Sequence, residues 1–187
     1  MKAGTAIEIH ELFAKRHSPR SLNAGADIGR EDLLAILEAA RWAPSASNIQ
    51  PWRFLVGVRG DEVFTGILET LVPFNQAWAH RASVLIVVAG VSTRKDGTPN
   101  TTFMYDCGLA AAQLTLEAHH RNYVAHQMAG FDKDKANALF SGQVPIAIIA
   151  IGRQASADQL DEKLAAREIA PRQRKELSEI VLKGLPN

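Results

Sequence analysis

Apolar positions recur along this chain in two rhythms. Over residues 30–43, Leu33, Leu34, Ile36, Leu37 and Ala40 return at helical spacing behind an acidic first turn, Glu31-Asp32, and Pro44 ends the pattern. A second helix is predicted over residues 105–121, where Leu109, Ala112, Gln113 and Leu116 are joined by Ala110, Ala111 and Ala118, a small-residue surface suited to close packing at the centre of the fold. Residues 52–58, 84–91 and 144–151 are rich in β-branched side chains and bounded by Gly or Pro, which predicts buried strands, with a shorter fourth over 123–127. Further helices are expected near 7–14, 61–71, 132–140 and 159–168. Helix and strand alternate without regular βαβ spacing, so the expected class is α+β, α/β-like in composition, with a small sheet.

Composition narrows the function classes. Lys plus Arg number 21 against 20 Asp plus Glu, a formal charge of +1, so no overall field draws in a phosphate backbone or an anionic membrane, and neither nucleic acid nor membrane is an expected partner. The longest apolar runs, 84–91 and 144–151, are far shorter than the roughly 20 residues of a spanning helix. The first ten residues lack a continuous apolar stretch followed by a small-residue cleavage site, so the expected compartment is the cytoplasm. No linker, charge block or repeat divides the 187 residues, which are expected to form one domain, 1–187. The single cysteine, Cys107, cannot form an intramolecular disulfide and, with small helical neighbours, is expected to be a core thiol.

Most of the common catalytic signatures are absent. No two glycines are separated by one residue, so the dinucleotide fingerprint is missing, and there is no phosphate-binding P-loop, H-E-x-x-H, G-x-S-x-G or C-x-x-C. Glu117 and His120 form one i, i+3 pair where a bundle di-metal site needs two, so no metal is expected. Three polar clusters remain. Arg16-His17-Ser18-Pro19-Arg20 follows a predicted helix, where cations are ordinary, but Pro19 stiffens the segment and Ser18 adds a donor, so Arg16 and Arg20 can converge on one anion. The segment from Pro44 to Pro51 offers Ser45, Ser47, Asn48 and Gln50 with no ionised group, which suits either a neutral heterocycle edge or a turn that caps its own backbone. Arg172-Gln173-Arg174-Lys175, after Arg167, is by itself an ordinary solvated charge run, and gains meaning only beside the other two.

These clusters, in this order, resemble the nitroreductase family of flavin-mononucleotide-dependent oxidoreductases. Arg16-His17-Ser18-Pro19-Arg20 is similar to the family's opening R-[RH]-S-x-[RK], and Ala40 to Phe54, A-R-W-A-P-S-A-S-N-I-Q-P-W-R-F, resembles its long signature A-x-x-A-P-S-x-x-N-x-Q-P-W-x-F. Phe74-Asn75, Ala129-Gly130-Phe131-Asp132 and Pro171-Arg172-Gln173-Arg174 extend the likeness over nearly the whole chain. The resemblance implies a nitroreductase-like fold with a small mixed sheet flanked by helices, in an intertwined homodimer whose tail after Arg174 embraces the partner. It implies FMN as cofactor, with Arg16, His17, Ser18, Arg172 and Arg174 around the phosphate and Arg20 at the N1 and O2 edge of the ring. Pro44, Ser45, Ala46, Ser47, Asn48 and Gln50 would reach the flavin of the other subunit, Asn75 would bond the pyrimidine end, and the backbone at Ala129 and Gly130 would face N5.

The implied activity is ping-pong hydride transfer from NAD(P)H (NADH or NADPH) to nitroaromatic, quinone or similar electron-poor acceptors, with no catalytic side chain, since the chemistry belongs to the flavin. Other family chemistries (enal or semialdehyde reduction, dehydrogenation, dehalogenation), or storage of FMN without turnover, are the alternatives. Two departures stand out. The family's lysine three residues after the Asn75 position is Trp78 here, which leaves its charge to Arg20, and residues 92–101, with an Asp96-Gly97 turn, form a short cover that implies an open site.

Overall fold

The computed structural model describes residues 3–184. Its sheet has four strands, β1 (Trp52–Val58), β2 (Val84–Gly90), β3 (Val124–Met128) and β4 (Val144–Gly152), in the order β1-β2-β4-β3. Every pairing is antiparallel, with Trp52 opposite Gly90, Val84 opposite Ile151 and Val124 opposite Gly152. The sheet among the described residues is therefore antiparallel and not mixed, because each strand returns beside its partner after a connection that reverses direction. The β2–β4 ladder shifts register between Val88 and Ala89, opposite Pro145, a residue with no N–H to give to the ladder.

All seven β2 residues are buried, which explains an apolar run without alternation: both faces of the sheet are covered. Leu85 and Val87 pack with Ile148, Ala150 and Met128 beneath α3 (Glu62–Thr70), α4 (Pro73–Ala79), α6 (Lys133–Asn137) and α7 (Glu162–Ile169), through Phe64, Ile67, Trp78, Ala136 and Leu164. Val84, Ile86 and Val88 face α2 (Arg30–Arg41) and α5 (Phe103–His120), meeting Ile36, Ala40, Cys107, Ala110 and Leu114. The period of two along β2 thus sorts its side chains into two cores. At Gly57, a Cβ would lie 2.3 Å from the backbone N of Phe64, so only glycine lets α3 lie this close to β1. Cys107 is fully buried against the Ala89 carbonyl, and burial pushes its thiol up to about 12, as a core thiol requires.

The helical expectations hold in position and shift at the ends. Asp61, Asp132 and Asp161 each cap a helix with a side-chain carboxylate, at Phe64 N (2.6 Å), at Asp134 N and Lys135 N (3.0 and 3.1 Å) and at Leu164 N (2.8 Å). The helix expected over 7–14 begins only at α1 (Glu11–Lys15): the His10 ring accepts from Leu12 N, and Ile7 and Ile9, two residues apart, cannot share a helical face and are exposed. The sequence pattern did not indicate α4 or α8 (Leu177–Ile180), both short, the first opening with Pro73 at a favoured helix start. Glu117, half of the i, i+3 pair, binds Arg121 at 2.6 Å.

Candidate active site

Residues 16–20 run without regular structure from α1 toward the far edge of the sheet, and contacts from five residues fix them and the residues that flank them. The Glu168 carboxylate on α7 accepts from the backbone N–H of Arg20 (2.9 and 3.1 Å) and of Ser21 (3.2 Å). His126 on β3 donates Nδ1–H to the Pro19 carbonyl at 3.1 Å, with its ring 4.6 Å from that of Trp78. The Ser21 hydroxyl donates to the Ser156 carbonyl, and Asn23 N to the Arg153 carbonyl at 2.9 Å, which ties the segment to the chain leaving β4. From the C-terminal side, Arg172 donates to the carbonyls of Ala14 (3.0 Å) and Arg16 (2.8 Å).

The result is a cleft of about 460 Å³ lined by Arg16, His17, Ser18, Arg20, Arg172 and Arg174, together with Arg167 and Glu168. That volume suits a small-molecule ligand. Burial lowers the Arg16 guanidinium, and Arg172 and Arg174 lower it further by repulsion. Arg20 is likewise lowered by burial, partly offset by Glu168 and reinforced by Arg167. Arg20 Nε is buried with no hydrogen-bond acceptor, a donor that protein interiors rarely leave unmatched. Burial holds His17 below the ordinary imidazole range, and its Nδ1–H donates to the Lys15 carbonyl at 3.1 Å. Crowded cations and an orphaned guanidinium donor fit an anionic, multiply accepting ligand: a phosphate with an attached polar ring satisfies both.

Asn75 and Gly130 are brought together at one side. Asn75 is buried on α4, and its Nδ2 donates to the Gly130 carbonyl at 3.0 Å. A Cβ on Gly130 would sit 2.8 Å from that nitrogen and 3.1 Å from Val72 Cγ2, so any larger residue would push the Asn75 amide away. The neighbouring Phe74 ring lies 5.9 Å from the Arg20 guanidinium and 5.2 Å from that of Arg167, which links this pair to the cleft. Ala129 is exposed beside Gly130.

The loop from Pro44 to Gln50 lies elsewhere. It enters β1 at Trp52, and Pro51 O accepts from Val91 N, so it sits at the end of the sheet marked by Gly90 and Val144. Residues 16–23 adjoin the opposite end, next to Arg153 and Gln154. A seven-residue strand spans about 20 Å between these ends. Ser47, Asn48 and Gln50 all adopt left-handed backbone, with φ of 51°, 54° and 52°. The buried carboxylate of Asp106 holds Ala46 N at 3.3 Å, Ser45 Oγ accepts from Gln50 N at 2.9 Å, and Gln50 Nε2 donates to Asn48 Oδ1 at 3.0 Å. Pro44, Ser47, Asn48 and Gln50 are exposed, Ser45 and Ala46 half-buried. The loop does cap itself, and it also presents strained, exposed amides of a kind that concentrates at binding sites.

Glu168, His126 and Asp106 escaped the sequence analysis because each acts on backbone far away in the chain, at separations of 148, 107 and 60 residues, which no local pattern carries. One signal was available: Glu168 is the single acid in the basic run from Arg167 to Lys175. Trp78, at the departed lysine position, is fully buried in the core under His126 and brings no charge to the cleft.

Known proteins resemble this chain over most of its length. The sequence pattern of the nitroreductase family matches residues 13–68 and 57–153, and the chain belongs to that family. A solved structure of an oxidoreductase containing FMN superposes with a TM-score of 0.91 at 35% identity, covering 98% of this chain and 95% of that one. Among curated relatives, an uncharacterized 15.4 kDa protein of Mycolicibacterium smegmatis is 37% identical over 71% of this chain and 95% of its own length. YdgI of Bacillus subtilis, described as a candidate NAD(P)H nitroreductase, is 27% identical over 86% of this chain and 95% of its own.

Proposed function

We propose that this chain is an FMN-dependent NAD(P)H oxidoreductase that reduces nitroaromatic, quinone or similarly electron-poor acceptors at sites formed between two copies of the chain. The convergence of Arg16, Arg20, Arg172 and Arg174 on one cleft, with a buried Arg20 Nε that has no acceptor, carries this reading. Arg16, Ser18 and Arg174 hold the phosphate. Arg172 sets the wall by fastening the C-terminal segment to residues 14 and 16. Arg20, fixed by Glu168 and His126, presents its guanidinium to the pyrimidine edge of the ring, where negative charge gathers on reduction, and Asn75 and Gly130 flank that edge. When bound, FMN supplies the two-electron chemistry by accepting and donating hydride at N5. The protein's share is position and charge; no side chain of the cleft has to move a proton.

The homodimer is supported by what one chain leaves unfinished. The Pro44–Gln50 loop lies across the sheet from the cationic cleft, and Trp42 (72% exposed), Tyr105 (71%) and Leu182 (91%) are large apolar side chains facing solvent beside that loop's helices and along the tail. A tail that embraces a second copy would cover them. The chain as one domain and a cytoplasmic location belong to the same proposal; no helix among the described residues is long and apolar enough to cross a membrane.

The direct test is the absorbance spectrum of the purified protein from 300 to 550 nm, with heat release and identification of the flavin. One FMN per chain, bleached by NADH or NADPH under anaerobic conditions and reoxidised by a quinone or nitroaromatic, is the expected outcome. Parallel double-reciprocal lines would support one shared position for donor and acceptor. Protein that stays colourless after FMN is added overturns the reading, and bound flavin that only dithionite reduces favours storage over turnover.

A further inference from the structure

Arg172 is engaged by the carbonyls of Ala14 and Arg16; besides it, four arginines, Arg16, Arg20, Arg167 and Arg174, line the cleft with one carboxylate, Glu168. That carboxylate is occupied by the backbone N–H groups of Arg20 and Ser21. A flavin phosphate brings at most about two negative charges, so the cleft stays cationic after the proposed cofactor is seated. The surplus is localised. Arg20 and Arg167 share one aromatic ring, Phe74, at 5.9 and 5.2 Å, next to Asn75. Phe74 is 40% exposed, Arg167 is exposed, and among the described residues Arg167 makes no ion pair. A cation on an exposed ring is held only weakly, too weakly to explain why two guanidiniums should be gathered on the same one. An anionic group beside Phe74 would bind both.

We propose that Arg167 is a specificity-determining residue, which with Arg20 recruits a second, negatively charged ligand over Phe74: a carboxylate on the electron acceptor or the 2′-phosphate of an NADPH donor. The inference rests on the flavin reading for the identity of that second ligand, but the charge selectivity can be measured apart from it. Calorimetric titration of the purified protein with benzoate and with benzamide, isosteric and differing in charge, gives the first readout. Benzoate is expected to bind more tightly, Arg167→Ala to lose about tenfold of that preference and Arg167→Lys to keep most of it, as for one charge-assisted contact.

Steady-state kinetics of the flavin-loaded enzyme then separate the sources. A rise in the KM ratio of 4-nitrobenzoate to nitrobenzene in Arg167→Ala places the anion on the acceptor, and a rise in the ratio of NADPH to NADH places it on the donor. Added salt should shrink whichever difference appears. Equal changes for both members of each pair, with no benzoate preference in the parent protein, overturn the proposal. Failure of the flavin reading shows separately, as protein that takes up no FMN while still preferring benzoate.

Discussion

Residues 16–20 and residues 44–50 are both short segments lying between a helix and the sheet, yet they are held in opposite ways. The first is clamped by contacts from β3, α7 and the C-terminal segment, so its backbone is fixed by tertiary structure. The second is shaped mainly by itself: three left-handed residues, two side-chain bonds across the turn and one distant carboxylate, Asp106. The first is cationic and half-buried; the second is uncharged and mostly exposed. They lie at opposite ends of a seven-residue strand; on the proposed reading each is half of a different site, which closed twofold symmetry would join twice.

Breaking each half in a different chain gives the largest effect. Arg16→Ala should weaken FMN binding about 30- to 100-fold, the loss of a charge-assisted phosphate contact, read by quenching of flavin fluorescence. An Asn48→Ala, Gln50→Ala double variant should be impaired for the separate reason that its loop no longer meets the ring. Mixed subunits of the two variants should regain about a quarter of parental activity, because half the dimers are then mixed and each has one intact site. Activity no higher than that of the parent variants would mean that each chain completes its own site.

The next effect concerns the clamp on residues 16–20. Burial holds His126 down to about 4, against an ordinary 6.5, so the folded protein binds fewer protons than the unfolded chain between those values. Stability therefore falls as pH drops through that window, by up to about 3 kcal/mol at its lower end. Denaturant midpoints at pH 7 and pH 4.5 should differ, and His126→Gln, which keeps a donor for the Pro19 carbonyl without titrating, should flatten the difference. A midpoint gap of the same size in the variant would assign the acid sensitivity to other groups.

Glu168→Gln probes the same clamp from α7. It removes the charge that accepts from Arg20 N and Ser21 N, at a cost of about 2 kcal/mol, and a thermal midpoint lower by several degrees is expected. The flavin should bind less tightly too, since Arg20 would lose its fixed backbone. Unchanged stability with weaker binding would recast Glu168 as a ligand contact and not a clamp.

The two regions also differ in how far the sequence exposes them. Strands 84–90 and 144–152 were readable because a sheet covered on both faces forces long apolar runs, and 52–58, an edge strand with Arg53 and Val58 exposed, through its aromatic and β-branched residues. The shorter fourth strand was recognisable, although its importance, as the carrier of His126, was not. Site residues in local clusters were legible as types: cations at 16–20 and 172–174, neutral amides at 44–50. Their arrangement was not. Nothing in the order of residues says that Arg172 reaches back to residue 14, or that Trp78 goes into the core while Phe74, four residues earlier on the same short helix, turns toward two arginines. Nor does composition say that an apolar run will pair antiparallel.

The smallest expected effect belongs to the loop. A serine in left-handed backbone costs about 1 kcal/mol relative to glycine, and Ser47, at φ 51°, is exposed with no side-chain bond among the described residues to offset that cost. Ser47→Gly should therefore raise stability, by well under 1 kcal/mol once the greater freedom of the unfolded glycine is counted. If the loop is shaped in advance for a ligand on a second chain, the same variant should hold FMN less tightly, because the conformation that glycine tolerates is one that it no longer enforces. Gain in thermal midpoint together with loss of affinity is the expected pair of results. A gain in both would mean that the strain serves the fold of the single chain, and that the neutral half of the site is simply a turn.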